Sequence, residues 1–181
     1  MNKAEPLAYR MRPKTLEEYE GQEHVIGPGK LLYRTIKADR LSSIILFGPP
    51  GCGKTSLAKV ISETTKYKFY KINAVTAGVS DIKKIVEETK NFMFNPAGKS
   101  ILFIDEIHRF NKLQQDALLP FVENGTIILI GATTENPYFE VNKALISRSM
   151  VIKLEPLTEK NIYNILKRAL TSQEGLGEYN V

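Results

Sequence analysis

Apolar positions follow two rhythms along the chain. Residues 43–47 (Ser-Ile-Ile-Leu-Phe) form a short apolar run that stops at a glycine, the pattern of a strand buried on both faces. Residues 100–104, 126–131 and 150–154 repeat it, the first of these ending at Asp105. Residues 68–73 instead alternate Phe69 and Tyr70 with lysines, which suits a strand nearer a sheet edge. Between these runs the spacing becomes helical. Residues 54–65 set Leu57, Ala58, Ile61 and Thr65 on one face, and residues 79–94 do the same with Val79, Ile82, Ile85, Val86, Thr89 and Met93. Residues 111–119 predict a helix with Asn111 as N-cap and Gln114 as its capping-box partner, bent or ended by Pro120. Thr158 caps a last helix whose Ile162, Ile165, Leu166 and Ala169 share a face. Residues 30–41 suit a short helix, and the first thirty residues, rich in Pro, Gly and charge, read as an arm or loop.

Strands alternating with helices and apolar on both faces predict an α/β fold, a parallel sheet covered by helices on both sides. Ligands of such sheets sit outside the carboxyl ends of the strands, so chemistry is sought just after each strand. The segment after Glu155-Pro156 has no strand of its own and reads as the beginning of a second, helical domain.

Composition narrows the classes. With 181 residues the chain can bury a core without covalent staples. Its single cysteine, Cys52, excludes a disulfide framework and a Cys-based zinc site, and two histidines argue against a His-rich metal cage. The net charge of +5 permits nucleic-acid contact without demanding it. Lys83, Lys84, Lys90 and Lys112 are candidates for a DNA path, with a solvated helix face as the plainer reading. The first six residues lack an apolar core and the longest apolar runs are far too short to span a bilayer. The expectation is a soluble, cytoplasmic protein with no membrane partner.

The chemistry starts after the first strand. Gly48-Pro49-Pro50-Gly51-Cys52-Gly53-Lys54-Thr55 fits G-x-x-x-x-G-K-[ST] between a strand and a helix, followed by Ser56. Glycines let successive backbone N–H groups curl round a phosphate, and the next helix aims its positive end at it. Lys54 is expected to reach the β- and γ-phosphates of ATP and the Thr55 hydroxyl to ligate Mg2+. Cys52 reads as a small filler in the loop. Asp105 closes the second buried strand, where a carboxylate completes the Mg2+ shell, and the adjacent Glu106 supplies a base for water. That pair favours hydrolysis over phosphotransfer. Thr134, after the third buried strand, would lie beside the γ-phosphate if that strand runs between the other two. Arg148, just before the last strand, suits an arginine given to a neighbour's nucleotide.

Together these motifs resemble the AAA+ ATPases of the clamp-loader-like branch. The runs Ala8 to Leu16 and Gly21 to Val25 are similar to that branch's adenine-side arm. Asp105-Glu106-Ile107-His108-Arg109-Phe110-Asn111-Lys112, Gln114 to Pro120, and Gly131-Ala132-Thr133-Thr134-Glu135-Asn136-Pro137 resemble the replication-associated recombination protein A family. That family is also called the maintenance-of-genome-stability or Werner-helicase-interacting ATPases.

The resemblance implies a P-loop three-layer sandwich around a five-stranded parallel sheet. It divides the chain into an arm (1–28), a nucleotide-binding core (29–155) and the start of a truncated helical lid (156–181). It makes Thr134 the γ-phosphate sensor, with Asn136 as second candidate. It makes Asn73 the partner that holds Glu106 idle until DNA binds, and Ser147-Arg148 the pair completing a neighbouring site. Clamp loaders follow that pair with cysteine, whereas Ser149 stands here. Arg12, Pro13, Val25 and Ile26 become the adenine wall, while His24 and His108 read as packing or capping residues.

The implied function is a DNA-dependent ATPase of replication-fork maintenance, recombination and repair, associated with the nucleoid. Its implied partners are single-stranded, gapped or forked DNA and replication proteins such as single-stranded-DNA-binding protein. A homo-oligomer, a tetramer, is expected through segments beyond Val181, as is the lid's second sensor arginine, which Arg168 does not match. The rivals are a clamp-loader subunit, a Holliday-junction branch-migration motor, which shares Ala-Thr-Thr, and a nucleotide-gated binding module, which Glu106 disfavours.

Overall fold

The computed structural model describes residues 5–65 and 67–177; residues 1–4 of the expected arm and 178–181 of the expected lid lie outside the described residues. Two short helices, α1 (Leu7–Arg10) and α2 (Glu23–Ile26), punctuate the arm, and α3 (Leu31–Lys37) follows. Then come β1 (Ser43–Phe47), α4 (Lys54–Thr65), β2 (Lys68–Asn73), α5 (Val79–Lys90) and β3 (Ser100–Asp105). A 3-10 turn at Ile107–Arg109 leads to α6 (Lys112–Glu123) and β4 (Ile127–Thr133). Helices α7 (Pro137–Glu140) and α8 (Lys143–Ser147), β5 (Ser149–Lys153) and α9 (Glu159–Thr171) complete the described chain.

The five strands form one parallel sheet in the order β2-β3-β4-β1-β5. The lysine-alternating β2 lies at an edge, and β4 runs between β3 and β1. Strand pleating sends neighbouring residues to opposite faces. Ile44, Leu46, Ile101 and Phe103 pack with Leu57 and Ile61 of α4 and with α3. Ile45, Leu102, Ile104 and Leu129 pack with Ile82 and Val86 of α5, Leu118 of α6 and Leu145 of α8. Each such side chain contributes about 2 kcal/mol of transfer free energy, so both helical layers are fixed by the double-faced strands.

Three elements differ from the sequence expectation. Helix α5 stops at Lys90 instead of running to residue 94. Asn91 turns the chain, accepting from Met93 N–H at 3.2 Å. The buried Asn95 then anchors it by donating to the carbonyls of Thr89 and Lys99, and Met93 is left 88% exposed. Helix α6 passes through Pro120 to Glu123. Packing of Leu118, Phe121 and Val122 on the sheet offsets the hydrogen bond that proline forfeits. In α9 the expected apolar face is split, with Ile162 and Leu166 exposed, Ile165 and Ala169 half-buried, and Asn161 buried. Polar contacts also tie the helix to the arm: Arg168 donates to the carbonyls of Met11 (2.6 Å) and Glu18 (2.8 Å). No helix among the described residues is long and apolar enough to cross a membrane.

Candidate nucleotide site

The loop between β1 and α4 uses positive φ at Gly51 (77°) and Gly53 (97°). Those angles curl the backbone ahead of the twelve-residue α4, whose first N–H groups and dipole face the bend. The Lys54 ammonium crosses the loop and donates to the carbonyls of Gly48 (2.7 Å) and Pro49 (2.8 Å). Cys52 is buried under the loop at 1% exposure, the place of a filler.

Two arm residues hold the loop from below. The Tyr19 hydroxyl donates to Gly53 O at 3.2 Å. A Cβ added at Gly53 would meet that hydroxyl at 2.6 Å, so the glycine is needed for close approach as well as for its angle. Burial pushes the Tyr19 phenol well above its ordinary range, with Cys52 nearby adding to the effect. Gln22, itself in the left-handed region at φ 62°, donates to Cys52 O (3.2 Å) and Glu155 O (2.7 Å) and accepts from Glu155 N–H (2.9 Å). It thereby ties the loop to the segment that leads into α9.

The parallel order sets the ends of β3 and β4 beside this loop. A cleft of about 360 Å3 is lined by Pro50, Gly51, Gly53, Lys54, Thr55, Ser56, Asp105, Glu106 and Thr134. Glu106 has φ 56°, rare for a side-chain-bearing residue. Its Oε2 lies 3.3 Å from His108 Nε2. The other ring nitrogen, Nδ1, lies 2.8 Å from Thr133 Oγ1, and that hydroxyl accepts from Glu135 N–H at 2.9 Å.

A second cleft of about 260 Å3 shares Gly51, Gly53 and Ser56 with the first, so the two adjoin at the loop. Arg12, Pro13, Met11 and Tyr19 line one side of it, and Leu157, Ile165 and Arg168 line another. Its apolar walls beside a phosphate-type loop have the form of a base pocket. Val25 and Ile26 do not line it. Helix α2 turns Ile26 into the core at 6% exposure and packs Val25 against the same core.

Other expected residues stand apart from the cleft. Asn73, in register with Asp105, uses its side chain to accept from Val75 N–H at 2.8 Å, and no hydrogen bond joins it to Glu106 among the described residues. Asn136 caps α7, accepting from Tyr138 N–H at 3.1 Å. Arg148 is exposed; it donates to Ala144 O and Ser147 Oγ and pairs with Glu123. The pairing Ser43↔Ser149 sets it at the amino end of the sheet, about 16 Å of strand away from the loop. Gln22, Tyr19 and His108 were not expected at the site. Gln22 sat unremarked in the arm motif, and only the Asp105-to-Lys112 run hinted at His108.

A model of the ATPase family associated with various cellular activities (AAA) matches residues 44–156. Replication-associated recombination protein A of Coxiella burnetii is 52% identical over 174 residues, covering 96% of this chain and 39% of the relative. ATPase WRNIP1 of Dictyostelium discoideum is 48% identical over 165 residues, covering 91% of this chain and 19% of that protein. The chain therefore spans about two fifths, or less, of the length of these relatives. Among solved structures, the RuvB Holliday junction branch migration motor of Thermotoga maritima superposes with a TM-score of 0.71 at 30% identity, over 90% of this chain and 54% of that one.

Proposed function

Since this chain belongs to the AAA family of ATPases, we propose that it is the nucleotide-binding core of a DNA-dependent ATPase serving replication-fork maintenance, recombination and repair. One observation carries the hydrolytic part: a single cleft joins the glycine loop, Lys54, Thr55, Asp105, Glu106 and Thr134. The DNA part rests on the likeness to replication-associated recombination protein A over 96% of the chain. In this reading residues 1–28 are the adenine-side arm, 29–155 the core and 156–181 the start of the lid.

The chemistry follows from the donors. The loop N–H groups and the α4 dipole receive the phosphates, and Lys54 exchanges its carbonyl partners for β- and γ-phosphate oxygens. Arg12 and Pro13 flank the adenine in the adjoining cleft. The Thr55 hydroxyl and Asp105 carboxylate are hard oxygen donors on one cleft wall, a set that suits Mg2+ completed by phosphate and water. Bound there, Mg2+ would neutralise charge developing between the β- and γ-phosphates. Glu106 orients the attacking water and takes its proton. Thr134 donates to the γ-phosphate. Arg148 cannot reach its own cleft along the sheet edge, so it serves the cleft of a neighbouring subunit in a homo-oligomer, a tetramer.

The RuvB likeness favours one second reading, a branch-migration motor working on Holliday junctions. Steady-state ATP turnover with single-stranded, gapped, forked and four-way-junction DNA separates the two. The main reading predicts stimulation by gapped or forked DNA. Stimulation by junctions alone favours the motor, and none by any DNA contradicts both.

A further inference from the structure

Glu106 is fixed at its backbone by a left-handed conformation, but its side chain has three torsions left to choose an orientation. What faces the carboxylate is His108, two residues on, in the 3-10 turn. The His108 side chain is only 9% exposed, whereas that of Glu106 is 36% exposed. The ring is the buried member of the pair and the carboxylate the member that meets the cleft.

The proton inventory around the ring gives it a direction. Glu106 Oε2 can only accept, so we assign the ring hydrogen to Nε2, which faces it at 3.3 Å in a close polar contact rather than an aligned hydrogen bond. In the neutral ring Nδ1 is then an acceptor, and the Thr133 hydroxyl donates to it across 2.8 Å. That leaves the hydroxyl oxygen free to accept, which it does from Glu135 N–H. Thr133 is fully buried at the carboxyl end of β4, and the next residue, Thr134, lines the cleft with Glu106.

We infer that His108 is a positioning residue: it relays the setting of the β4 end, through Thr133, to the carboxylate of Glu106. The inference rests on the reading of Glu106 as the base. With Oε2 drawn toward the ring by that contact, Oε1 is the oxygen presented to water, and a shift of Thr134 toward a γ-phosphate is passed to the base through its neighbour Thr133. Such a relay acts on the chemical step and leaves nucleotide binding alone. Misplacing a reacting group by about an ångström costs up to a hundredfold in rate, so a lost orientation is expected to lower kcat about tenfold or more.

The test compares kcat and KM for ATP, with nucleotide affinity measured separately, in His108→Ala, Thr133→Val, Thr133→Ser, the His108→Ala/Thr133→Val double variant and Glu106→Gln. Thr133→Val keeps shape and the histidine, so it carries the test if His108→Ala fails to fold. The expected result is a fall in kcat for His108→Ala and Thr133→Val with KM and affinity within twofold of the parent. Thr133→Ser, which restores the hydroxyl, should recover most of kcat. The double variant should be no worse than the poorer single one, because both cut the same chain. Parental kcat in the folded single variants, alongside loss in Glu106→Gln, overturns the relay alone. So does equal loss in Thr133→Ser and Thr133→Val. Parental kcat in Glu106→Gln overturns the assignment of the base, and the relay with it.

Discussion

The hydroxyl of Tyr19 donates to the carbonyl of Gly53 at 3.2 Å, joining the arm to the last glycine of the loop. Tyr19→Phe removes that bond while keeping the ring, and should cost about 1 kcal/mol of stability. The pH dependence has a definite sign. Burial raises the phenol's affinity for its proton, so the folded state binds it more tightly than the unfolded chain does. Its contribution to stability is full below about pH 10 and falls as pH rises above that value. Denaturant titrations at pH 8 and above pH 10 should show a steeper loss in the parent than in Tyr19→Phe. Equal losses would remove the tyrosine from the account.

Lys54 faces two carbonyls at the mouth of the loop, and nothing else in the loop carries a cation. Lys54→Ala should weaken ATP binding about a hundredfold, the loss expected for charge-assisted bonds to two phosphates. Calorimetric titration of ATP reads this directly, with a melting curve to show that the variant is folded. Affinity within twofold of the parent would refute the phosphate-loop assignment.

Arg148 and Glu106 lie at opposite ends of the sheet, and the proposed function takes each from a different subunit. Arg148→Ala and Glu106→Gln should each be nearly inactive alone. Mixed in equal amounts, they should regain turnover, because about a quarter of randomly formed interfaces pair an intact arginine with an intact glutamate. Phosphate release from the mixture is the measurement. No recovery in a mixture proven by light scattering to contain mixed oligomers would place the arginine's role within one subunit.

Much of the fold was legible in the sequence because its signals are local. The runs ending at Gly48 and Asp105 are strands β1 and β3. The Asn111/Gln114 capping box and the Thr158 cap start α6 and α9 where the sequence puts them. The loop from Gly48 to Thr55 is contiguous, so its spacing alone announces a phosphate cradle. What was not legible depends on distant contacts. Gln22 meets Glu155 across 133 residues, and His108 meets Thr133 across 25. Pro120 stays inside its helix, and Met93 leaves its own, because packing and the buried Asn95 outweigh local propensity. Val25 and Ile26, expected in the adenine wall, pack inward because the turn of helix α2 carries them against the core. The apolar stripe of α9 is only half covered: Ile165 lines the cleft beside the arm, while Ile162 and Leu166 stay exposed and Arg168 makes the polar contacts to the arm.

In the proposed function Glu106 activates water over a nucleotide bound by the loop. Phosphate release and ATP affinity, measured together in Glu106→Gln, test it most directly. Gln keeps the shape and hydrogen-bonding reach of the side chain but cannot take a proton. A loss of about a hundredfold or more in turnover is expected, with ATP affinity unchanged. Turnover near the parent's rate, with affinity intact, would contradict it.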